Sequence, residues 1–398
     1  MRKKRIFISM HYLEIGGAEA SLIGMLQAMD YNHYDVDLFL YSHRGEMMTY
    51  IPKEVNILPE IKEYSMIEKP ITDVLKAGFF HIAFARIKAK CQFIRYMKRK
   101  RLAESAAIFQ YIGNAVTSLL PNLGFLGEYD LAISYLNPHN IVRDKVDAKK
   151  KICWIHTDYS QIDVNVELEL PIWASYDHIM SISPDVTRTF LDVFPSLRNR
   201  IIEMENILSS NFIRKRAEEF DASAELAGNG IKILSVGRFC EAKNYDNVPD
   251  ICRRIREKGI NLRWFIIGFG GDSLIRRRIH ETGMDNYVII LGKRTNPYPY
   301  IKACDIYAQP SRYEGKSVTV REAQMLCKPV AVTDYPTAKS QIQNGVDGVI
   351  IPLDNEGCAQ GLADFILNKK LQTSNVMYLE QHDYSNLSGI VKLYQLID

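Results

Sequence analysis

Twelve short apolar runs, separated by segments with helical periodicity, constrain the fold of this chain more than any other feature. Within each run the hydrophobicity is continuous rather than alternating, as in strands that are buried on both faces of a parallel sheet. Strands that alternate with helices predict βαβ units and hence an α/β protein. The predicted strands are Arg5–Met10, Val36–Tyr41, Leu131–Tyr135, Ile152–His156, His178–Ser181, Ile201–Met204, Ile231–Val236, Leu262–Gly268, Tyr287–Leu291, Asp305–Gln309, Pro329–Thr333 and Gly348–Ile351.

The chain divides near residues 220–230, where the polar, small-residue segment FDASAELAGNG precedes the apolar run IKILSVG. A length of 398 residues suits two domains of this kind. We expect two doubly wound domains of similar size, the first over residues 1–220 and the second over 221–386. Residues 387–398 carry apolar side chains at helical spacing, and we expect this helix to return to the N-terminal domain.

The composition excludes several classes of protein. Hydrophobic residues make up 47% of the chain, which is too many for a disordered protein. The 50 Lys and Arg residues nearly balance the 47 Asp and Glu residues, and a net charge of +3 does not fit a dedicated nucleic-acid binder. The seven cysteines are scattered without a C-x-x-C pair, which argues against a disulfide framework or a zinc site and favours a reducing cytoplasm. No stretch approaches the ~18 apolar residues of a membrane-spanning helix, and we interpret the basic and apolar start of the chain as a strand rather than a signal peptide.

Two glycine-containing turns follow predicted strands and could bind an anion. The segment GGAE at 16–19 precedes a helix, where glycines admit a ligand to the backbone and the helix N-terminus attracts negative charge. Arg238 follows the strand IKILSV and Lys243 lies five residues further, so two cations could hold a diphosphate from two sides. Taken alone, the first turn could equally be an ordinary tight turn, and the second could be two solvated cations. The run IIGFGG at 266–271 is weaker, because its spacing is not the dinucleotide-binding G-x-G-x-x-G.

The most specific pattern is the segment YEGKSVTVREA, in which Glu314 and Glu322 stand eight positions apart. Gly315 allows a turn, and Ser317 could cap a helix that begins at about Val318. Glu314 would then precede the helix N-terminus and Glu322 would lie about one turn inside it, with phosphate-binding N–H groups between them. The less favoured interpretation is a capped surface helix with a stray acid.

These motifs resemble those of the family 4 glycosyltransferases. The resemblance implies the architecture called GT-B, in which two doubly wound Rossmann-like domains face each other across a cleft. The likeness extends from about residue 6 to residue 394, and the segment YEGKSVTVREAQML is most similar to enzymes that build bacterial capsular, exopolysaccharide or lipopolysaccharide chains. The further matching features are WIH at 154–156, Ser183, Asn206 and CKPVAVTDYP at 327–336.

The resemblance implies an activity. A glycosyltransferase of this kind moves a hexose or N-acetylhexosamine from a nucleotide diphosphate sugar, with UDP preferred over GDP, to a growing glycan that we expect to be lipid-linked. It retains the anomeric configuration and needs no cofactor. The N-terminal domain would lie on the acceptor side, and the C-terminal domain would bind the nucleotide sugar. The implied catalytic residues are His156, Arg238, Lys243 and Glu314. The implied donor-binding residues are Gly16, Gly17, Gly237, Lys293, Arg294, Lys316, Ser317, Val318 and Glu322.

Within this set, the resemblance implies a division of roles. Arg238 and Lys243 would hold the diphosphate as it leaves, and fixed cations lower the barrier to such a step. Glu314 would bind hydroxyls of the transferred sugar, and Glu322 those of the ribose. The histidine of WIH would lie near the reacting face of the sugar. The backbone N–H groups at residues 317–318 would cap the phosphates, residue 17 would approach them from the other domain, and residues 293–294 would lie near the base.

Asp35-Val36-Asp37 has the acid-x-acid pattern of metal-dependent transferases. It falls at the beginning of a predicted strand, where we interpret it as a solvated strand start. We therefore expect no required metal.

Residues 86–101 form a strongly basic segment, whose cations surround an apolar stripe of helical spacing made by Phe80, Phe84, Ile87, Cys91 and Ile94. This pattern is typical of a helix that lies on an anionic inner-leaflet surface, as a lipid-linked acceptor would require. A helix packed on its own sheet with a solvated basic face fits nearly as well. The protein would accordingly be cytoplasmic and peripheral on the inner face of the plasma membrane. The cations of this expected membrane or acceptor surface are Arg86, Lys88, Lys90, Arg95, Lys98 and Arg99.

Other functions stay open on the same scaffold. A nucleotide-sugar epimerase would release an altered sugar nucleotide without an acceptor, and a glycogen-type synthase would extend a glucan. A non-catalytic, membrane-associated scaffold would not bind the donor, or would tolerate loss of Glu314 and Arg238.

Overall fold

The computed structural model describes residues 2–14, 16–102, 105–314 and 316–397. It consists of two compact units, the first formed by Met1–Leu208 with Asn386–Asp398 and the second by Ser209–Ser385. Each unit is built on one parallel sheet with helices, so the predicted α/β class with two doubly wound units is confirmed. Residues 209–220, which the sequence assigns to the first domain, lie in the second unit.

The first unit contains a seven-stranded parallel sheet with the strand order β3-β2-β1-β4-β5-β6-β7. Residues 6–10 of its central strand β1 are all buried, so both faces of the strand are covered, as the continuous apolar run predicts. The strands are β1 Lys4–Met10, β2 Tyr34–Leu40, β3 Asn56–Ile57, β4 Tyr129–Ser134, β5 Ala148–Ile155, β6 His178–Ser181 and β7 Ile201–Glu203. The helices are α1 Gly17–Ala28, α2 Lys62–Ser65, α3 Ile71–Lys76, α4 Phe80–Lys100, α5 Ala107–Val116, α6 Asn140–Lys145, α7 Val166–Trp173 and α8 Pro184–Val193.

The second unit repeats this plan with a six-stranded parallel sheet in the order β10-β9-β8-β11-β12-β13. The strands are β8 Ile231–Val236, β9 Leu262–Ile267, β10 Val288–Gly292, β11 Ile306–Gln309, β12 Val330–Thr333 and β13 Val349–Ile351. The helices are α9 Ser210–Ala217, α10 Val248–Glu257, α11 Ser273–Glu281, α12 Tyr298–Ala303, α13 Val318–Met325, α14 Ala338–Gln341, α15 Asn355–Leu367 and α16 Lys369–Gln381.

In both sheets the strand order reverses beside the central strand, between β1 and β4 in the first unit and between β8 and β11 in the second. The loops that leave such neighbouring strands run to opposite faces of the sheet, which opens a crevice at the carboxyl ends of the strands. Ligands of open α/β sheets bind in this crevice. The reversal therefore marks one place in each unit where a site is expected.

The C-terminal segment belongs to the first unit, and it ends in the short helix α17 Val391–Tyr394. The ring of Tyr394 stacks on that of Tyr34 with 4.3 Å between centroids, and the Asp30 N–H donates to the Tyr394 hydroxyl at 2.7 Å. Asn386 Nδ2 donates to the Asn206 carbonyl oxygen at 2.8 Å. Within the described residues, no helix of either unit is long and apolar enough to cross a bilayer.

Candidate active site

Lys243 and Glu314 form an ion pair at the strand-order reversal of the second unit. Lys243 lies in a short 3-10 turn after β8, and Glu314 follows β11. Their Nζ and Oε1 atoms are 2.6 Å apart, and the two side chains are only 17% and 11% exposed. The structure thus brings together two residues that lie 71 positions apart in the sequence.

The Glu314 carboxylate is held by a buried polar network. Its Oε1 also accepts hydrogen bonds from Ser311 Oγ at 2.6 Å and from Gln309 Nε2 at 3.0 Å. Gln309 is in turn held by Tyr307, whose hydroxyl donates to Gln309 Oε1 at 2.8 Å. Three donors therefore saturate Oε1, whereas no hydrogen bond to Oε2 occurs among the described residues. That second oxygen can accept hydrogen bonds from a ligand.

Gly237 allows the lysine to reach its position. A Cβ at this residue would lie 2.8 Å from Tyr245 Oη, which is closer than Cβ atoms approach, and 3.0 Å from Lys243 Cε, which is a tight contact. Gly268 has a related role, because a Cβ there would come within 2.0 Å of the Gly237 carbonyl oxygen. The glycine-rich run at 266–271 thus serves the close approach of two backbone turns.

Arg238 is an exposed cation that follows β8 and precedes Lys243 by five residues. Its guanidinium makes no hydrogen bond or ion pair with any residue that the structure describes. Its charge is therefore available to an anion, whereas the charge of Lys243 is already shared with Glu314. The unit presents two cations and one carboxylate at the carboxyl edge of its sheet.

The helix that follows Glu314 begins at Val318, as the sequence predicts, but Ser317 does not cap it in the expected way. The Ser317 hydroxyl makes no capping bond and lies 3.1 Å from Thr319 Oγ1. The Ser317 backbone N–H donates to Gln341 Oε1 at 3.1 Å. Lys316, next to it, is half-buried, and Gly315, the expected turn residue, lies outside the described residues.

Glu322 lies inside α13 and is 5% exposed. The Tyr298 hydroxyl donates to its Oε1 at 2.7 Å, and burial raises the pKa of the carboxyl to about 7. A group with such a pKa changes its charge near neutral pH, which is common where a carboxyl binds a ligand and also where it is merely buried. The ribose contact implied for Glu322 stays a prediction.

The two cations expected near the base differ in environment. Arg294 donates to Glu225 Oε2 at 2.7 Å and to the Tyr300 hydroxyl at 2.8 Å, so its charge is used within the unit. Lys293 is exposed, with Nζ 5.6 Å from the centroid of the Phe269 ring. Lys293 is therefore the more available of the two.

In the first unit, His156 follows β5 at the carboxyl edge of the sheet. Its ring lies 4.7 Å from that of Tyr135, which follows β4, and Nε2 is buried without a hydrogen-bond partner among the described residues. Burial lowers the pKa of His156 to about 3, so the imidazole is neutral at neutral pH. An orphaned ring nitrogen of this kind can donate to or accept from a ligand hydroxyl.

The turn before α1 holds a carboxylate of the chain itself. A Cβ on Gly16 would lie 2.1 Å from Glu19 Oε2, so the Glu19 side chain folds back over the start of the helix. Burial raises the pKa of Glu19. Gly17 is exposed, and no heavy atom lies near the position that its Cβ would take. Glu19 thus lies at the anion-binding end of α1, and the phosphate contact implied for Gly16 and Gly17 stays a prediction.

The acid-x-acid motif is used for structural contacts. Asp37 accepts from the Tyr129 hydroxyl at 2.6 Å and pairs with Arg5 at 3.2 Å, and Asp35 pairs with Lys3 at 3.4 Å. No group of three or more potential metal ligands occurs among the described residues. The expected metal independence remains a prediction.

Helix α4 carries the expected apolar stripe on an exposed face. Phe80 and Phe84 are 57% and 68% exposed, and Ile87 and Ile94 are exposed as well. The cations around them are exposed with one exception, Arg86, whose Nη1 donates to backbone carbonyl oxygens at residues 66 and 69. The exposed ones are Lys88, Lys90, Arg95, Lys98 and Arg99.

Sequence reasoning missed the residues that support the site. Gln341 and Tyr298 contact Ser317 and Glu322 from other elements, and Tyr245 packs under Gly237. None of them belongs to a local motif, because each meets its partner only after the sheet has formed. One feature of the sequence does point to a supporting network: the polar residues Gln309 and Ser311 stand at the end of the apolar strand β11.

Comparison with known proteins relates the second unit to one family. Residues 216–378 match the family model "Glycosyl transferases group 1". A Campylobacter jejuni protein, N-acetylgalactosamine-N,N'-diacetylbacillosaminyl-diphospho-undecaprenol 4-alpha-N-acetylgalactosaminyltransferase, is 30% identical over 144 residues. This match covers 35% of the chain and 38% of the relative, so the chain spans less than two-fifths of the length of this curated relative.

Two solved structures match over nearly the whole chain. HepE of Anabaena, in complex with UDP and glucose, has a TM-score of 0.64 at 13% identity, with 98% of each chain covered. TarM of S. aureus, in a complex that includes UDP, has a TM-score of 0.66 at 11% identity, with 99% of this chain and 100% of TarM covered. At these identities the likeness shows the fold, and it confirms the GT-B class.

Proposed function

We propose that this chain, whose residues 216–378 belong to the group 1 glycosyl transferases, transfers a hexose or N-acetylhexosamine from a nucleotide diphosphate sugar to a growing, lipid-linked glycan. The observation that carries the proposal is the buried Lys243–Glu314 pair at the strand-order reversal of the second unit, with the exposed Arg238 five residues before Lys243 in the same loop. Glu314 Oε2 has no donor among the described residues, so it can accept a hydrogen bond from a sugar hydroxyl. The cations Arg238 and Lys243 can bind a diphosphate.

In the proposed reaction the sugar–phosphate bond breaks and negative charge develops on the departing diphosphate. Arg238 offers a planar fork of donors, and Lys243, held in place by Glu314, offers a point charge; both would stabilise this charge. The N–H groups in the first turn of α13 have no acceptor within the helix and add to the same field. Glu314 Oε2 orients the sugar through its hydroxyls.

We propose that the anomeric configuration is retained. The departing phosphate would help to deprotonate the acceptor hydroxyl in a front-face displacement. His156, a neutral imidazole with an orphaned nitrogen, suits a hydrogen bond to the sugar rather than a charge interaction. The absence of an obvious carboxylate nucleophile in the sequence supports this choice over a covalent intermediate.

The donor and acceptor classes rest on the relatives. Both structural neighbours were solved with UDP, which supports UDP over GDP as the nucleotide. The name of the Campylobacter relative specifies a diphospho-undecaprenol acceptor, which supports a lipid-linked glycan here.

We further propose that α4 rests on the anionic inner leaflet of the plasma membrane, which would make this a peripheral cytoplasmic protein. Exposed Phe80 and Phe84 would enter the interface, and exposed Lys88, Lys90 and Arg95 would meet the headgroups. Flotation with vesicles of zwitterionic lipid, with and without anionic lipid, tests this. Equal recovery of protein in the unbound fraction from both would contradict it.

A thermal-shift panel of UDP, GDP and their sugars tests the donor proposal, because a ligand that binds the native state raises Tm with occupancy. The best donor is then incubated with wild type, Arg238→Ala and Glu314→Gln, with and without a lipid-linked acceptor pool. We expect transfer by wild type alone. Altered sugar nucleotide without an acceptor would indicate an epimerase, and extension of an α-glucan primer would indicate a glycogen-type synthase. No Tm shift with any nucleotide would indicate the scaffold.

A further inference from the structure

The segment after β12, residues 335–341, contacts both ends of the loop that connects Glu314 to α13. Thr337 Oγ1 donates to the carbonyl oxygen of Glu314 at 2.9 Å. Gln341, the last residue of α14, donates from Nε2 to the Ser317 carbonyl oxygen at 2.6 Å and accepts the Ser317 N–H on Oε1 at 3.1 Å. Three hydrogen bonds from one segment therefore bracket this loop.

The Gln341 contact fixes orientation as well as position. Its planar side-chain amide pairs with both the N–H and the C=O of one residue, so the Ser317 backbone can neither rotate nor translate without breaking a bond. Gln341 is 5% exposed, and the Tyr335 hydroxyl lies 3.4 Å from its Oε1. Buried hydrogen bonds of this kind are costly to leave unmade.

This arrangement decides which backbone donors face a ligand. The N–H of Ser317 is already used, so the first donors at the start of α13 are those of Val318 and Thr319, which lack an acceptor within the helix. Their direction follows from the orientation of Ser317. Thr337 holds the Glu314 backbone and Gln341 holds the Ser317 backbone, so these two residues fix the donors relative to Glu314.

We propose that Gln341, with Thr337, is a positioning residue for the diphosphate of the donor. It holds the N-terminus of α13 at a fixed place relative to Glu314. The N–H groups can then bind the phosphate while the Glu314 carboxylate binds the sugar of the same donor molecule. The inference rests on the proposed function, since it names the support of the same site. It also corrects the predicted phosphate-binding N–H groups: Val318 keeps its predicted role, whereas Thr319 takes the place of Ser317, whose N–H is bonded to Gln341.

The test compares Gln341→Met with Gln343→Met, which makes the same change at an exposed residue two positions away. Isothermal titration measures binding of UDP, and GDP in a second arm, to each full-length variant. We expect Gln341→Met to weaken nucleotide binding about tenfold or more, since a misplaced anion site loses charge-assisted hydrogen bonds, and Gln343→Met to stay within about twofold of wild type. Amide hydrogen exchange should speed up at residues 316–319 in Gln341→Met alone.

A second pair covers the case in which Gln341→Met does not fold. Thr337→Val removes the hydrogen bond to the Glu314 carbonyl oxygen, and Thr337→Ser keeps it. Thr337→Val should therefore weaken nucleotide binding, whereas Thr337→Ser should bind nucleotide as wild type does. Unchanged nucleotide affinity in folded Gln341→Met, or equal affinities in the two Thr337 variants, would overturn the inference. Failure of wild type to bind either UDP or GDP would instead overturn the proposed function.

Discussion

At the scale of single residues, Gly237 determines where the charge of Lys243 lies. A Cβ on Gly237 would lie 2.8 Å from the Tyr245 hydroxyl and would crowd the Lys243 side chain, with 3.0 Å to its Cε atom. Gly237→Ala should therefore separate Lys243 from Glu314 and lower the transfer rate roughly tenfold or more, because catalytic charges act only when held in place. Initial rates and Tm are measured beside Gly271→Ala, which meets no heavy atom within 4 Å. A wild-type rate in Gly237→Ala would contradict this account.

Glu322 gives a pH-dependent prediction at the same scale. Burial raises its pKa from 4.5 to about 7, so the folded state disfavours the ionised form. The carboxyl contributes most to stability below pH 4.5, and this contribution is lost as the pH rises to about 7. Glu322→Gln keeps an acceptor for the Tyr298 hydroxyl and abolishes the titration.

The Tm of Glu322→Gln relative to wild type should therefore increase as the pH is raised from about 5 to about 8. Differential scanning fluorimetry across this range measures the difference. Exposed Glu380→Gln is the control, and its difference should not follow the same trend. A difference for Glu322→Gln that stayed level or decreased with pH would refute the assignment of a raised pKa.

At the scale of elements, the sequence predicts strands and helix starts that follow from a local pattern of residues, but not contacts between residues that are distant in the chain. Of the thirteen strands in the described part of the chain, twelve are predicted by the sequence, because continuous apolar runs leave little choice but a covered parallel sheet. The missed strand, Asn56–Ile57, has two residues, both exposed, and so carries no such signal. The start of α13 was predicted, whereas the partner of the Ser317 N–H was not, since Gln341 lies 24 residues away.

In helix α4, too, the local sequence pattern does not show which side chains point inward. By composition Arg86 and Lys90 belong to one basic surface, but Arg86 Nη1 donates inward to the Met66 and Lys69 carbonyl oxygens at 2.8 and 2.6 Å. Arg86→Ala should lower the free energy of unfolding by about 1–3 kcal/mol, because it leaves two partly buried carbonyl oxygens without their donor. Its binding to anionic vesicles should change little.

Lys90→Ala, on the same helix, should do the reverse. The Lys90 side chain is exposed, so its removal should leave the free energy of unfolding within about 0.5 kcal/mol of wild type. Vesicle binding should weaken, since each lysine near an anionic surface contributes about 1 kcal/mol. Urea unfolding and flotation of both variants measure the two effects. Loss of vesicle binding in Arg86→Ala, without loss in Lys90→Ala, would show that Arg86 rather than Lys90 belongs to the lipid-binding surface.

At the scale of the whole molecule, the first unit is discontinuous in sequence, because it includes the last residues of the chain. Stability of β1 and β2 should therefore depend on a residue more than 350 positions away, Tyr394, which stacks on Tyr34 and accepts the Asp30 N–H. Tyr394→Phe keeps the ring and loses the acceptor, which should cost about 1 kcal/mol, and Tyr394→Ala should cost about 2–4 kcal/mol through the lost packing.

Hydrogen exchange measured by mass spectrometry separates the units, because their strands give different peptides. Tyr394→Ala should speed exchange in residues 4–40 and leave residues 231–351 protected as in wild type, since contacts within a cooperative unit fail together. Tyr378→Phe, the same removal of a hydroxyl on α16 of the second unit, is the control for Tyr394→Phe. Faster exchange spread equally over both units would show that the C-terminal segment stabilises the whole chain rather than the unit it joins.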